Sequence, residues 1–189
     1  MTSNKTKNIK TKSVKKSDTD TQTNDAQTSN TNTSTISDQE AQARAAMRNQ
    51  EVLHLNLGYI LGLFSSSQLH SRVPVGQFMA GVLPAIQTNQ YKLFLQNNKP
   101  VGYVSWAKLS KEVSEKYQQG NYFLKPQDWN SGTELWLADF VVPYSNENRA
   151  EVIQNLKEKI FVNQEILIAV RNKEGKVDRI IKNFENPTS

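Results

Sequence analysis

The chain has 189 residues, 37% of them hydrophobic, with 23 Lys and Arg against 18 Asp and Glu for a net charge of +5, and it contains no cysteine. That length suits one ordinary domain, and the lack of cysteine excludes disulfides, thiolate metal sites and a cysteine nucleophile. No apolar run approaches the roughly 18 residues of a membrane span and no apolar stretch follows the N-terminal lysines, so a cytoplasmic protein without stable membrane insertion is expected.

Residues 1–40 hold no aromatic side chain and, beyond Ile9, Val14 and Ile36, almost no large aliphatic one. Such a segment cannot bury enough apolar surface to offset about 1–2 kcal/mol of backbone entropy per ordered residue. Residues 1–45 are therefore expected to form a disordered polar tail and 46–189 a single domain. The basic opening at Lys5, Lys7, Lys10, Lys12, Lys15 and Lys16 is followed by Asp18, Asp20, Asp25, Asp38 and Glu40, so it reads as solubilising rather than as a nucleic-acid contact. The alternative is a non-catalytic module that binds a partner or nucleic acid through this tail.

From Ala41 to Phe64 the apolar spacing is helical, with Leu53, Leu57, Ile60, Leu61 and Phe64 on one stripe. Ser65, Ser66 and Ser67 end it, and a second helix is expected from Pro74, with Val75, Phe78, Met79, Val82, Leu83 and Ile86 on its buried face. After Gln90 the period changes to two. The stretches "YKLFLQ" and "VGYVSW" read as strands around an "NNKP" turn, and a polar connector follows from Lys108 to Gln119. The segment "TELWLADFVVP" reads as a central strand with Leu135, Leu137, Asp139 and Val141 on one face and Trp136, Ala138, Phe140 and Val142 on the other. An amphipathic helix over 147–161 precedes "EILIAVR" and "KVDRIIKNF", joined by an "NKEG" turn. The order predicts an α+β fold, a mostly antiparallel central sheet flanked by helices.

Groups able to carry chemistry are few. His54 falls one position off the apolar stripe and reads as a surface or structural histidine. His70, the other histidine of the chain, falls in the loop between two helices, where catalytic groups are often held. Asp139 places a carboxylate on an apolar strand, which is costly unless the group is paired. It reads either as a satisfied structural residue near a strand end or as the carboxylate that orients and charges a histidine. There is no phosphate-binding glycine loop, no dinucleotide fingerprint, no HExxH and no GxSxG.

The blocks "SSSQLHSRVPV", "VLPAIQTNQYKLF", "PVGYVSWAKLS" and "DWNSGTELWLADFVVPY" together resemble the RTX toxin-activating lysine acyltransferases, the hemolysin-activating family. The resemblance is close over residues 55–145 and looser elsewhere. It implies a GNAT-like fold and transfer of a fatty acyl group from acyl carrier protein to internal lysines of an RTX protoxin, with acyl carrier protein as co-substrate and no further cofactor or metal. It also implies that His70 and Asp139 are catalytic, the histidine as general base or transient acyl acceptor and the aspartate as its orienting partner. The chain departs from hemolysin-type members at Gly81, where they carry an asparagine. Arg72 and Lys92 are candidate contacts for an acidic carrier protein, and an exposed strand edge leaves room for a homodimer.

Overall fold

The computed structural model describes residues 28–172 and 176–184. The chain divides into two compact units, 1–47 and 48–189. The described part of the first is helical: α1 spans Thr28–Ser66, so helix begins upstream of the Ala41 start expected from periodicity. Residues 38–47 are all exposed, so no packing accounts for the helix there. Local terms remain, namely good helix formers such as Ala, Gln, Glu and Arg and the Glu40–Arg44 ion pair one turn apart at 3.7 Å. The N-terminal lysines of the expected tail lie outside the described residues.

In the second unit, α1 is followed by α2 (Val75–Gln87), β1 (Tyr91–Gln96), β2 (Lys99–Leu109), α3 (Lys111–Gln118), β3 (Glu134–Val141), α4 (Asn146–Asn155), a π turn over Leu156–Ile160, β4 (Leu167–Arg171) and β5 (Val177–Lys182). The strands form one sheet in the order β1-β2-β3-β4-β5. Every neighbouring pair is antiparallel except β3 and β4, which run parallel. This is the expected mostly antiparallel sheet with helices against it. The β1–β2 turn places Asn97 and Asn98 at positive φ, a conformation asparagine tolerates better than most residues. Lys173, Glu174 and Gly175 of the expected "NKEG" turn lie outside the described residues.

The helices bury slightly different stripes from those the sequence suggests. On α1 the core residues are Ile60, Leu63 and Phe64, whereas Leu61, expected among them, is 47% exposed. At 100° per residue, Leu57, Ile60, Phe64 and Leu63 share one face and Leu61 turns away from it. On α2, Phe78 and Val82 are buried but Val75 at the helix start is 70% exposed. One cluster joins Ile60, Leu63, Phe64, Phe78 and Val82 to Tyr103 and Val141 of the sheet.

Beyond an extra residue at Val101 in its pairing with β1, strand β2 alternates from Gly102 to Leu109. Tyr103, Ala107 and Leu109 pack among residues of α1, α2 and α3, while Val104 and Trp106 pack on the side of α4, with Val152, Leu156 and Phe161. Strand β3 does not alternate. Leu135 and Leu137 lie on the α4 side, yet so do Phe140 and Val142, whereas Trp136, Ala138 and Val141 lie on the α1–α3 side. The register explains this: Ser105 opposes Asp139 but Trp106 opposes Leu137, leaving Ala138 as the extra residue of a bulge. The expected single face of Leu135, Leu137, Asp139 and Val141 is therefore split. The bulge reverses the phase of β3, so Asp139 follows Val141 to the α1–α3 side instead of Leu137 to the α4 side.

Candidate active site

His70 sits in a short, internally bonded connection. Ser65 and Ser66 donate their side-chain hydroxyls to the carbonyls of Leu61 and Gly62 at 2.8 and 2.9 Å, which satisfies the end of α1. The backbone then turns on Ser67, whose carbonyl accepts from the N–H groups of His70 and Ser71 at 3.1 and 2.8 Å. The Phe78 N–H donates to Pro74 O at 2.9 Å and opens α2. This turn brings Ser67 Oγ to 2.8 Å from Nδ1 of the imidazole. The ring rests against Phe64, with centroids 4.9 Å apart, and Phe64 is in turn held edge-on by Phe78 at 5.1 Å. A hydrogen bond at one nitrogen and an aromatic ring at its side fix the imidazole, and Nε2 is left for other work.

Asp139 reaches the same side of the sheet because of the bulge. Its Oδ2 accepts a 2.8 Å hydrogen bond from Ser105 Oγ, the residue opposite it on β2, which is 0% exposed. The parallel pairing of β3 with β4 covers only Trp136–Leu167 and Leu137–Ile168, so β3 has parted from β4 before Asp139. Tyr144, just past β3, comes within 3.4 Å of Ser66 at the end of α1.

The two groups share an electrostatic environment. Burial pushes the His70 imidazole below its ordinary pKa, and the negative charge of Asp139 opposes that shift. Burial pushes the Asp139 carboxyl up, against the Ser105 hydrogen bond and the positive charges of His70 and Arg171. A neutral imidazole near pH 7 is competent to accept a proton. Among the described hydrogen bonds, none joins His70 to Asp139. The orienting contact expected of Asp139 is made by Ser67, and Asp139 reaches the imidazole through its field.

The other candidates are dispersed. Arg72 is exposed beside His70. Lys92 is also exposed, and it opposes Val104 in the β1–β2 register, a position on the α4 side of the sheet and so away from His70. His54 is exposed on α1. No helix of the described residues is long and apolar enough to cross a membrane, and among those residues no three potential ligands gather as a metal site would require.

Residue-type reasoning passed over the two serines that hold the pair. Ser67 was visible as part of a serine run, but only the turn geometry singles it out. Ser105 is a hydroxyl inside the apolar run "VGYVSWA", the same kind of signal as a carboxylate at Asp139.

A partly buried carboxylate and an imidazole whose pKa is lowered by burial share one side of the sheet of this α+β domain, each hydrogen-bonded to its own serine. The chain belongs to the RTX toxin acyltransferase family, which it matches over residues 48–185. It is 43% identical over 90 residues to the protein-lysine myristoyltransferase HlyC of Escherichia coli, covering 48% of this chain and 52% of that protein. It is 39% identical over 90 residues to the protein-lysine myristoyltransferase RtxC of Kingella kingae, covering 48% and 54%. The leukotoxin-activating lysine-acyltransferase LktC of Pasteurella haemolytica-like sp. (strain 5943B) is 34% identical over 131 residues, 68% of this chain and 78% of that protein. The match to the first two spans about half of their length.

Proposed function

We propose that the protein is a protein-lysine fatty acyltransferase that takes an acyl group from acyl carrier protein and places it on internal lysines of an RTX protoxin. Family membership supports this reading, as do relatives named for lysine acylation and toxin activation. The observation that carries it is the convergence of His70 and Asp139 on one sheet face.

The chemistry requires a base. A lysine amine with a pKa near 10.4 is neutral in about one molecule in a few thousand at pH 7, a deficit of about 4–5 kcal/mol unless its proton is taken as it reacts. In the proposed reaction Nδ1–H of His70 donates to Ser67 Oγ, and the Nε2 lone pair takes a proton from the lysine ammonium. The freed amine attacks the thioester carbonyl, the C–S bond breaks, the departing thiolate takes the proton held by the imidazolium, and the restored imidazole takes the second proton from the new amide nitrogen and passes it to solvent. The Asp139 charge favours the imidazolium while it exists. The thioester activates its own carbonyl, so no cofactor or metal enters, and the reaction belongs to the cytoplasm. The parting of β3 from β4 beyond Leu137 leaves strand backbone where an extended phosphopantetheine arm can lie.

The test is incubation with acyl carrier protein charged with a long-chain acyl group and an RTX acceptor, read as mass gained on acceptor lysines. Wild type is expected to acylate them, and His70→Ala to be slower by roughly 10²–10⁴-fold. Equal rates would overturn the assignment of His70 as the base.

A further inference from the structure

Three large apolar side chains stand in solvent around His70. Leu69, directly before it, is 60% exposed in a connection otherwise polar from Ser67 to Arg72. Val75 opens α2, is 70% exposed and lies two residues past Val73, whose N–H donates to His70 O at 3.0 Å. Tyr144, 55% exposed, comes from beyond the end of β3 to place its hydroxyl 3.4 Å from Ser66 Oγ. Phe64, Val73 and Phe78 pack into the core on this side, so core packing does not account for Leu69, Val75 and Tyr144. An apolar side chain exposed singly is ordinary, but three of the ten such side chains among the described residues, set about one histidine, point to a ligand.

The proposed reaction supplies one. Its thioester carbonyl must come to the lysine nitrogen that His70 deprotonates, and the acyl chain is bonded to that same carbonyl carbon. The first methylenes therefore cannot leave the neighbourhood of the imidazole, whichever way the rest of the chain runs. The two halves of the donor also leave the carbonyl in opposite directions. The phosphopantetheine arm has amides that suit the strand backbone freed where β3 parts from β4, whereas the acyl chain has no polar group and needs apolar side chains. Two cavities lie elsewhere, one beside the π turn at Lys157, Phe161 and Ile166 and one at the outer edge of β1 at Tyr91 and Lys92, and neither is lined by the α1–α2 connection.

We propose that Leu69, Val75 and the ring of Tyr144 form the apolar shelf on which the acyl chain of the donor lies while its carbonyl is at His70. Each methylene taken fully out of water is worth about a fourfold gain in binding, and one half covered on an open shelf about twofold. A shelf grades donors by length, since a longer chain covers more of it. A closed pocket would instead reject every chain longer than itself. The shelf thus favours long-chain over short-chain donors without a sharp upper limit.

The inference rests on the acyl-transfer reading, and the experiment keeps the two apart. In the full chain, kcat/KM is compared for acyl carrier protein charged with a myristoyl and with an octanoyl group, and wild type is expected to prefer the longer chain. Leu69→Ser combined with Val75→Ser changes two exposed positions, where folding is little affected, and should lower that preference by about tenfold or more. Phe123→Ser removes a ring as exposed as Val75 from the α3–β3 connection and should leave the preference as in wild type. A preference unmoved in the double variant, or lowered equally by Phe123→Ser, would overturn the proposal. An unmoved preference with a raised KM for both donors would assign the patch to the surface of the carrier protein and overturn it as well. Calorimetry with pantetheine carrying the same two acyl groups through a non-transferable amide repeats the comparison without chemistry, and the double variant should again lose the advantage of the longer chain; an advantage retained would overturn the shelf. A chain that grips the long amide through these residues but transfers nothing would contradict the proposed activity and leave the shelf standing.

Discussion

Replacing Ser105 with alanine isolates the energetics of the carboxylate from the rest of the fold. The side chain is 0% exposed and its one polar contact in the site is the 2.8 Å bond to Asp139 Oδ2. The substitution removes a single oxygen and leaves room too small to disturb the sheet, so its main effect falls on the ionised form of Asp139. A hydrogen bond to a charged acceptor is worth about 1.5–3 kcal/mol, which at 1.36 kcal/mol per pH unit corresponds to about 1–2 units. Burial already raises the Asp139 carboxyl, and the Ser105 bond opposes that rise, so its loss raises the carboxyl further. The active form, with carboxylate charged and imidazole neutral, then requires a higher pH. In a profile of kcat/KM against pH for acyl transfer, the acid limb of Ser105→Ala should move up by about one unit or more, while the plateau at alkaline pH changes much less. A limb that stays in place, or one that moves down, would refute the assignment of Ser105 as the donor that keeps Asp139 charged.

Other perturbations probe the support around the pair. Phe64→Ala removes the ring that backs His70 and packs on Phe78 and Tyr103, and should cost about 3–5 kcal/mol in urea unfolding as well as activity; unaltered stability would contradict its place in the core. At Gly132 a Cβ would come within 2.5 Å of Leu109 O and Ser110 Cα, backbone atoms that cannot step aside, so Gly132→Ala is expected to destabilise by about 1–3 kcal/mol, read from the same unfolding curves. Arg72→Glu, beside the site, should raise KM for acyl carrier protein with kcat little changed and with an effect that shrinks as salt is added, and a salt-independent KM would exclude the steering role. Lys92→Ala, on the other side of the sheet, is expected to leave transfer within about twofold of wild type by acceptor mass gain.

Much of this was legible in the sequence, and what was not has a physical cause. Strand β1 coincides with the "YKLFLQ" alternation, and the helical stripes of α1 and α2 were right in kind. Leu61 was misplaced because a stripe read from spacing alone tolerates neighbours one position apart, whereas packing selects Leu63. His70 and Asp139 act on each other's charge, but the face expected for Asp139 was wrong. Strict alternation along β3 would put Asp139 on the α4 side with Leu137. The bulge at Ala138 corrects the phase, and nothing in "ELWLADFV" announces it, because a bulge is set by the register with β2 and not by local residue type. Likewise, Ser67 was one of three serines until the turn brought its hydroxyl within 2.8 Å of the ring.

His70 and Asp139 are proposed to act as one unit in acyl transfer to lysine. A double-mutant cycle on the acceptor-acylation rate tests it most directly, using His70→Ala, Asp139→Asn and the two combined under one set of donor and acceptor concentrations. If the aspartate works through the histidine, the double variant should be no slower than His70→Ala alone. Losses that multiply would show that the two side chains contribute independently and would contradict their action as one unit.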